Sequence, residues 1–194
     1  MARIVVNNNV TLDGVMQAPA RPDEDQRGGF THGGWGIPYS DAVMMEQAAK
    51  GGATSGALLL GRRTYEDFFA VWPNRPESPF SAILTNTLKY VASRTLSEPL
   101  PWANSTLLQG DAADAVAELR RQPGKDIVIL GSGDLIQSLM RRNLIDEYRL
   151  LIHPLVLGSG RRLFPDGGPS ATLRLISTTP TTTGVVIATY QPAE

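Results

Sequence analysis

The apolar positions of the chain fall into short bursts, and most bursts are followed by a stretch with helical spacing. The first is Ile4-Val5-Val6, and a β-rich run so near the start predicts a central strand of a sheet. Residues 57–60 read as a buried strand that stops at Gly61, and residues 62–69 follow with helical spacing. Residues 82–85 and 89–92 read as two more strands, and residues 106–108 as a shorter one. The clearest helix is 111–122. Asp111 caps it, Asp114 lies in the first turn, Arg120 and Arg121 lie near the last, and Pro123-Gly124 stops it. Residues 126–130 are a strand that climbs to Gly131-Ser132-Gly133, and a helix then runs from Asp134 to about Arg142. Between the first two strands, residues 17–39 carry Gly and Pro without any period and predict a long loop. Residues 40–50 predict a helix, with Ser40 or Asp41 as N-cap and Gly51-Gly52 as its end. Residues 146–157 form a long β-like run interrupted by Pro154, which predicts an edge, a bulge or a break. Residues 171–178 and 184–191, separated by Thr181-Thr182-Thr183, predict a closing antiparallel hairpin. The alternation of strand and helix predicts an α/β fold in one domain over residues 1–194, with a mostly parallel sheet, helices on both faces and an antiparallel edge.

Composition narrows the function. A chain of 194 residues, 42% hydrophobic and 19% charged, is long enough for one well-buried core. The net charge of −1 lacks the basic footprint of a nucleic-acid binder. With no Cys, disulfide and thiolate chemistry are excluded, which fits a reducing cytoplasm. The two histidines, His32 and His153, are far apart, so no metal site is expected. No stretch approaches the ~20 apolar residues of a membrane span, and the N-terminal apolar run is too short for a signal peptide.

Two strand ends share one design. In Leu60-Gly61-Arg62-Arg63-Thr64 and in Leu130-Gly131-Ser132-Gly133-Asp134 a buried strand ends at glycine and a helix begins. Free N–H groups at a helix start, with the dipole behind them, attract anions. Glycine lets the backbone come close to a phosphate, and ligands of open α/β sheets sit beyond the carboxyl ends of strands. Arg62 and Arg63 add positive charge, Thr64 adds a hydroxyl, and Ser93-Arg94 ends a further strand. Taken singly, Gly131–Gly133 is as readily a plain turn, and Arg62-Arg63 a solvated helix start. The third glycine of the Rossmann fingerprint is replaced by Ile136.

These segments resemble the dihydrofolate-reductase-like superfamily, and within it the stand-alone relatives of the riboflavin-biosynthesis reductase C-terminal domain. Val10-Thr11-Leu12-Asp13-Gly14 is similar to the family's segment after the first strand. Leu60–Glu66 is similar to its "G-R-x-T-[YW]-E" segment, and Val91–Leu96 to the segment that reaches the adenosine 2′-phosphate. Ile129–Gly133 resembles the glycine turn under the pyrophosphate, and His153–Gly160 with Leu163-Phe164 resembles the riboflavin branch's "P-x-x-x-G-x-G-x-x-L-F". The resemblance implies a dihydrofolate-reductase-like fold and an NADPH-dependent oxidoreductase acting on a small heterocycle, pteridine- or pyrimidine-like. It implies that Arg62 and Arg94, with Ser93, read the 2′-phosphate. Gly61, Arg63, Thr64 and Gly131 with the backbone of Ser132, Gly133, Asp134 and Leu135 would hold the pyrophosphate. A 2′-phosphate adds roughly two negative charges and suits Arg, whereas a bare ribose wants a carboxylate. Relatives are commonly dimers, so a cytoplasmic homodimer is implied.

On the substrate side the resemblance implies Asp41 as a catalytic proton donor, and Asn9, Asp13 and Trp35 are expected to line the pocket. Each has an ordinary alternative: Asp41 as a helix cap, Asp13 as a turn former, Trp35 as packing. His153 lies in an apolar run, where a satisfied core histidine is the ordinary expectation. No Lys-rich set for a ribitol phosphate accompanies the first strand, and a fused deaminase domain of the riboflavin enzyme is not expected. Two alternatives stay open: dihydrofolate or aminouracil reductase proper, and a catalytically silent nucleotide-binding module.

Overall fold

In a computed structural model, residues 1–193 are described. The elements run β1 (Ile4–Thr11), α1 (Ala42–Thr54), β2 (Ser55–Gly61), α2 (Arg62–Val71), α3 (Pro79–Asn86), β3 (Leu88–Ala92) and β4 (Ser105–Leu107). They continue with α4 (Ala112–Arg121), β5 (Asp126–Leu130), α5 (Gly133–Met140), β6 (Glu147–His153), β7 (Leu173–Pro180) and β8 (Val186–Pro192). The strands form one eight-stranded sheet in the order β4-β3-β2-β5-β1-β6-β8-β7, so β1 is central as its early apolar run predicted. β2 pairs in parallel with β3 and β5, and β3 with β4. β6, β8 and β7 pair antiparallel. Two compact units emerge, one of Met1–Val5 with Thr54–Ile145, the other of Val6–Ala53 with the residues from Asp146 onward.

In the first unit Leu58, Leu60, Tyr65, Leu84, Val91, Trp102 and Val128 pack into one core with Val5. Tyr65 is buried, and its hydroxyl accepts the Trp102 backbone N–H at 3.0 Å. Asp111 caps α4 as expected, its carboxylate accepting from the N–H groups of Ala113 and Asp114. One expectation fails here: residues 82–85 are not a strand but the body of α3. Pro79 at its first helical position suits a helix start. Ser81 and Leu84 are buried while Ile83 is 58% exposed, a spacing of three rather than an alternation. α1 also departs from expectation. It runs through Gly51 and Gly52, because neither takes the left-handed conformation that ends a helix.

In the second unit Val15, Ala18, Phe30 and Trp35 form a core that Leu155 and Leu157 flank. The long loop holds only short 3-10 turns and is pinned from inside by Gln17. The Gln17 side chain donates to the carbonyls of Asp25 (3.2 Å) and Arg27 (2.9 Å), and accepts from Arg161 N–H (2.9 Å). Pro154 breaks the predicted run, so β6 ends at His153. Gly160 sits at φ 115°, and a Cβ there would lie 2.6 Å from Phe30 Cε2 and 2.8 Å from Val15 Cγ1. Gly160→Ala is expected to destabilise the fold by about 1–3 kcal/mol through overpacking and backbone strain. An unchanged urea midpoint for that variant would show that the Phe30 contact yields freely.

Candidate cofactor site

The first unit brings three strand ends side by side. β2 lies between β3 and β5. Gly61 is opposite Ala92 in register, and Leu59 is opposite Ile129, which sets Gly61 level with Gly131. The chain therefore leaves the sheet at the same edge through Arg62-Arg63, Ser93-Arg94 and Ser132-Gly133. This is the carboxyl edge of parallel strands, where α/β folds bind ligands.

A knot of hydrogen bonds ties two of these ends together. Gly61 N–H donates to Ser132 Oγ at 2.9 Å, and Ser132 N–H donates to Thr64 Oγ1 at 3.1 Å. The two hydroxyls lie 3.1 Å apart. The knot demands glycine at 131, where φ is 58° and a Cβ would press on Thr64 Cγ2 at 3.2 Å. Ser132 itself is left-handed, φ 57° and ψ 43°, an uncommon state for a residue with a side chain. Strain of this kind persists where the surroundings hold it, and it clusters at ligand sites. Neither α2 nor α5 has a side-chain cap at its start. Gly133 and Leu135 thus open α5, with the Asp134 carboxylate in its first turn. Because Ser132 N–H serves Thr64, it is not available to an anion while the knot stands.

The charges differ in freedom. Arg62 pairs with Glu66 at 3.0 Å, both side chains about 40% exposed (40% and 43%). Such a pair is worth ~0.3–0.5 kcal/mol and is easily exchanged for a phosphate. Arg63 and Arg94 are exposed, and among the described residues their side chains have no ion-pair partner. Ser93 Oγ accepts from the N–H groups of Thr95 (3.1 Å) and Leu96 (3.0 Å), which shapes the turn that presents Arg94.

The substrate-side candidates all belong to the second unit. Asp41 Oδ1 accepts from Met44 N–H at 2.8 Å, and Oδ2 accepts from the hydroxyl and the N–H of Thr182 at 2.6 and 2.7 Å. The Thr182 hydroxyl first, then the Met44 N–H, hold its pKa below the usual carboxylate value. Asp41 is thus a helix cap that also ties α1 to the β7–β8 turn. Asp13 is similar: it accepts from Thr11 Oγ1 (2.5 Å), Leu157 N–H (3.2 Å) and Gly158 N–H (2.8 Å). Its pKa is lowered, chiefly by Thr11, and its bonds are those of a turn former. Trp35 is buried, donates Nε1–H to Gln17 O at 2.7 Å and sets its ring edge-to-face with His153. Asn9 Oδ1 lies 2.9 Å from His153 Nε2. His153 is fully buried but not satisfied, because its Nδ1 has no partner among the described residues. Asn7, on the same strand face as Asn9, went unnoticed in the sequence; the signal was three asparagines in a run that should be apolar. A cavity of about 290 Å³ in this unit, lined by Gln17, Arg27, Phe30 and Arg161, contains none of the proposed residues.

No helix among the described residues is long and apolar enough to cross a membrane. Uncharacterized protein YyaP of Bacillus subtilis (strain 168) is 33% identical over 138 residues, 69% of this chain and 72% of that protein. Among solved structures, a Shewanella sp. PV-4 protein assigned to riboflavin biosynthesis superposes with a TM-score of 0.70 at 21% identity, covering 100% of both chains. Dihydrofolate reductase from Enterococcus faecalis, complexed with NADP(H) and RAB-propyl, superposes with a TM-score of 0.62 at 15% identity, covering 99% of this chain and 97% of that one. These two likenesses show a dihydrofolate-reductase-like fold. The family model of the RibD C-terminal domain matches residues 2–187, and the chain belongs to that family.

Proposed function

We propose that the protein is an NADPH-dependent reductase acting on a small heterocyclic substrate, pteridine- or pyrimidine-like. The observation that carries the reading is the alignment of three strand ends, each with anion-binding chemistry, along one edge of the first unit. The residues present fit the cofactor: Gly131 is left-handed at φ 58° and packs closely on Thr64, and two exposed arginines have no ion-pair partner among the described residues. Arg63 with Thr64 and the start of α5 would hold the pyrophosphate, and Arg62 with Arg94 the 2′-phosphate. When bound, NADPH supplies the hydride. The family and the NADP(H) complex of the dihydrofolate reductase support the same reading.

A second reading is favoured by Asp13 and Asp41. Both carboxylates are taken up by hydrogen bonds within the chain, which suits a module that binds the nucleotide without catalysis. Thermal unfolding with cofactor tests the shared part. NADPH at a hundred times its Kd should stabilise the fold by about 2.7 kcal/mol, and NADH at the same concentration by clearly less. Arg94→Ala should shrink that difference about tenfold in relative affinity, as loss of one phosphate contact of about 1.4 kcal/mol implies. If neither nucleotide moves the midpoint, both readings fail. If NADPH binds but no folate, pteridine or pyrimidine oxidises it, the second reading stands.

A further inference from the structure

In the second unit, Asn7 and Asn9 stand two residues apart on one face of β1. Both are half-buried. Asn7 makes no side-chain hydrogen bond among the described residues, and Asn9 makes one, through Oδ1 to His153 Nε2 at 2.9 Å. Asn9 Nδ2 has no partner among the described residues and is not sealed from solvent. Polar side chains on a central strand are costly unless something answers them. A Cβ on Gly51 of α1 would lie 3.2 Å from the Arg149 guanidinium of β6, and α1 has no buried residue. His153 is held rigidly. The rings of Trp35 and Tyr39 meet it edge-to-face at 5.0 and 5.4 Å, and a Cβ on Gly36 would come within 3.6 Å of its Cε1.

We propose that His153 is a positioning residue for substrate recognition: its Nε2–H donates to Asn9 Oδ1 and so turns the Asn9 amide outward as a hydrogen-bond donor. The inference rests on the reductase reading above and specifies the substrate of that same enzyme. A neutral imidazole has one N–H. Nδ1 faces no acceptor, so the proton belongs on Nε2, where Asn9 Oδ1 receives it. Burial keeps the ring neutral at working pH. The carboxamide cannot flip without setting Nδ2–H against Nε2–H. Asn9 therefore offers N–H to a ring carbonyl or ring nitrogen and refuses an exocyclic amine. Asn7, with no such constraint, presents either end and completes a two-point contact with a cyclic amide edge.

The test uses the full chain saturated with NADPH and two probes that differ at one position, uracil (carbonyl) and cytosine (amine), with binding followed by ligand-observed NMR. The wild type should favour uracil by about tenfold, since a misplaced donor leaves buried polar groups unpaired. His153→Phe frees the amide, and the ratio should fall to within about threefold; His153→Gln, whose amide can donate or accept, leaves Asn9 free to turn either way and should lower the ratio likewise. Asn9→Asp presents only acceptors and should swing the preference to cytosine, a result no loss of packing produces. A wild type without preference, or ratios unmoved by all three variants, overturns the proposal. A wild type that binds NADPH but neither probe overturns it while leaving the cofactor reading intact. A wild type that does not bind NADPH overturns the reductase reading beneath it.

Discussion

Replacing Lys89 by Met should cost the fold about 3 kcal/mol, read as a fall in the urea midpoint at unchanged slope. Lys89 is fully buried at the start of β3, a rare place for a lysine. Its ammonium sits at the carboxyl end of α3 and donates to the carbonyls of Leu84 (2.7 Å), Thr85 (3.2 Å) and Thr87 (2.7 Å). The Trp102 ring lies beneath it, 4.5 Å from Nζ to the centroid. Three of the last carbonyls of a helix are thus satisfied by one cation, which also complements the helix dipole. Met fills the same space but leaves the Leu84 and Thr87 carbonyls facing an apolar side chain, while the Thr85 carbonyl keeps the Asn104 Nδ2 donor at 3.1 Å; each buried acceptor left unmade costs ~1–3 kcal/mol. Burial brings the amine down to about 8. The unfolded chain holds its proton to about 10.4. Between these values the unfolded state binds more protons, so wild-type stability rises with pH across that window and the Met variant's does not. A variant as stable as wild type at pH 7 would mean that water already serves the carbonyls.

Acid should weaken the fold well above the range of its carboxylates. Burial lowers the His153 imidazole from 6.5 to about 4. The sign follows from which state takes the proton. Between those values the unfolded chain is protonated and the folded one is not, so unfolding is favoured as pH falls. The stability tied to His153 is complete above pH 6.5, declines from there to about pH 4, and is then flat. The whole change is roughly 3 kcal/mol. Asp13 and Asp41, whose pKa values are lowered, add their own loss only at more acid pH. His153→Gln removes the imidazole while keeping a donor for Asn9. Its stability should be level between pH 6.5 and 4.5 where wild type slopes, and superimposable profiles would refute the assignment.

Much of the first unit is legible in the residues. The strand at Asp126–Leu130, the cap at Asp111 and the glycine turn at 131 are each set by neighbours a few positions away. The segments Gly61–Thr64, Ser93-Arg94 and Gly131–Leu135 could be picked out singly for the same reason. That they share one edge is a matter of register between β2, β3 and β5, which no local pattern states. The failures are long-range in the same sense. Residues 82–85 are apolar enough for a strand, and only burial of Ser81 and Leu84 on one side makes them helix. Asp41 has the local signature of a cap and the resemblance of a proton donor. Thr182, 141 residues away, occupies its second oxygen and lowers its pKa. His153 looks like any histidine in an apolar run until Asn9, 144 residues earlier, is found against one nitrogen and nothing against the other. The residues alone carry the alternating elements and the glycine, serine and arginine pattern at their ends, because propensity, capping and glycine conformation act over a few residues. Only the tertiary structure decided which polar groups are spent on the fold and which remain for a ligand, because hydrogen-bond partners and burial come from distant segments of the chain.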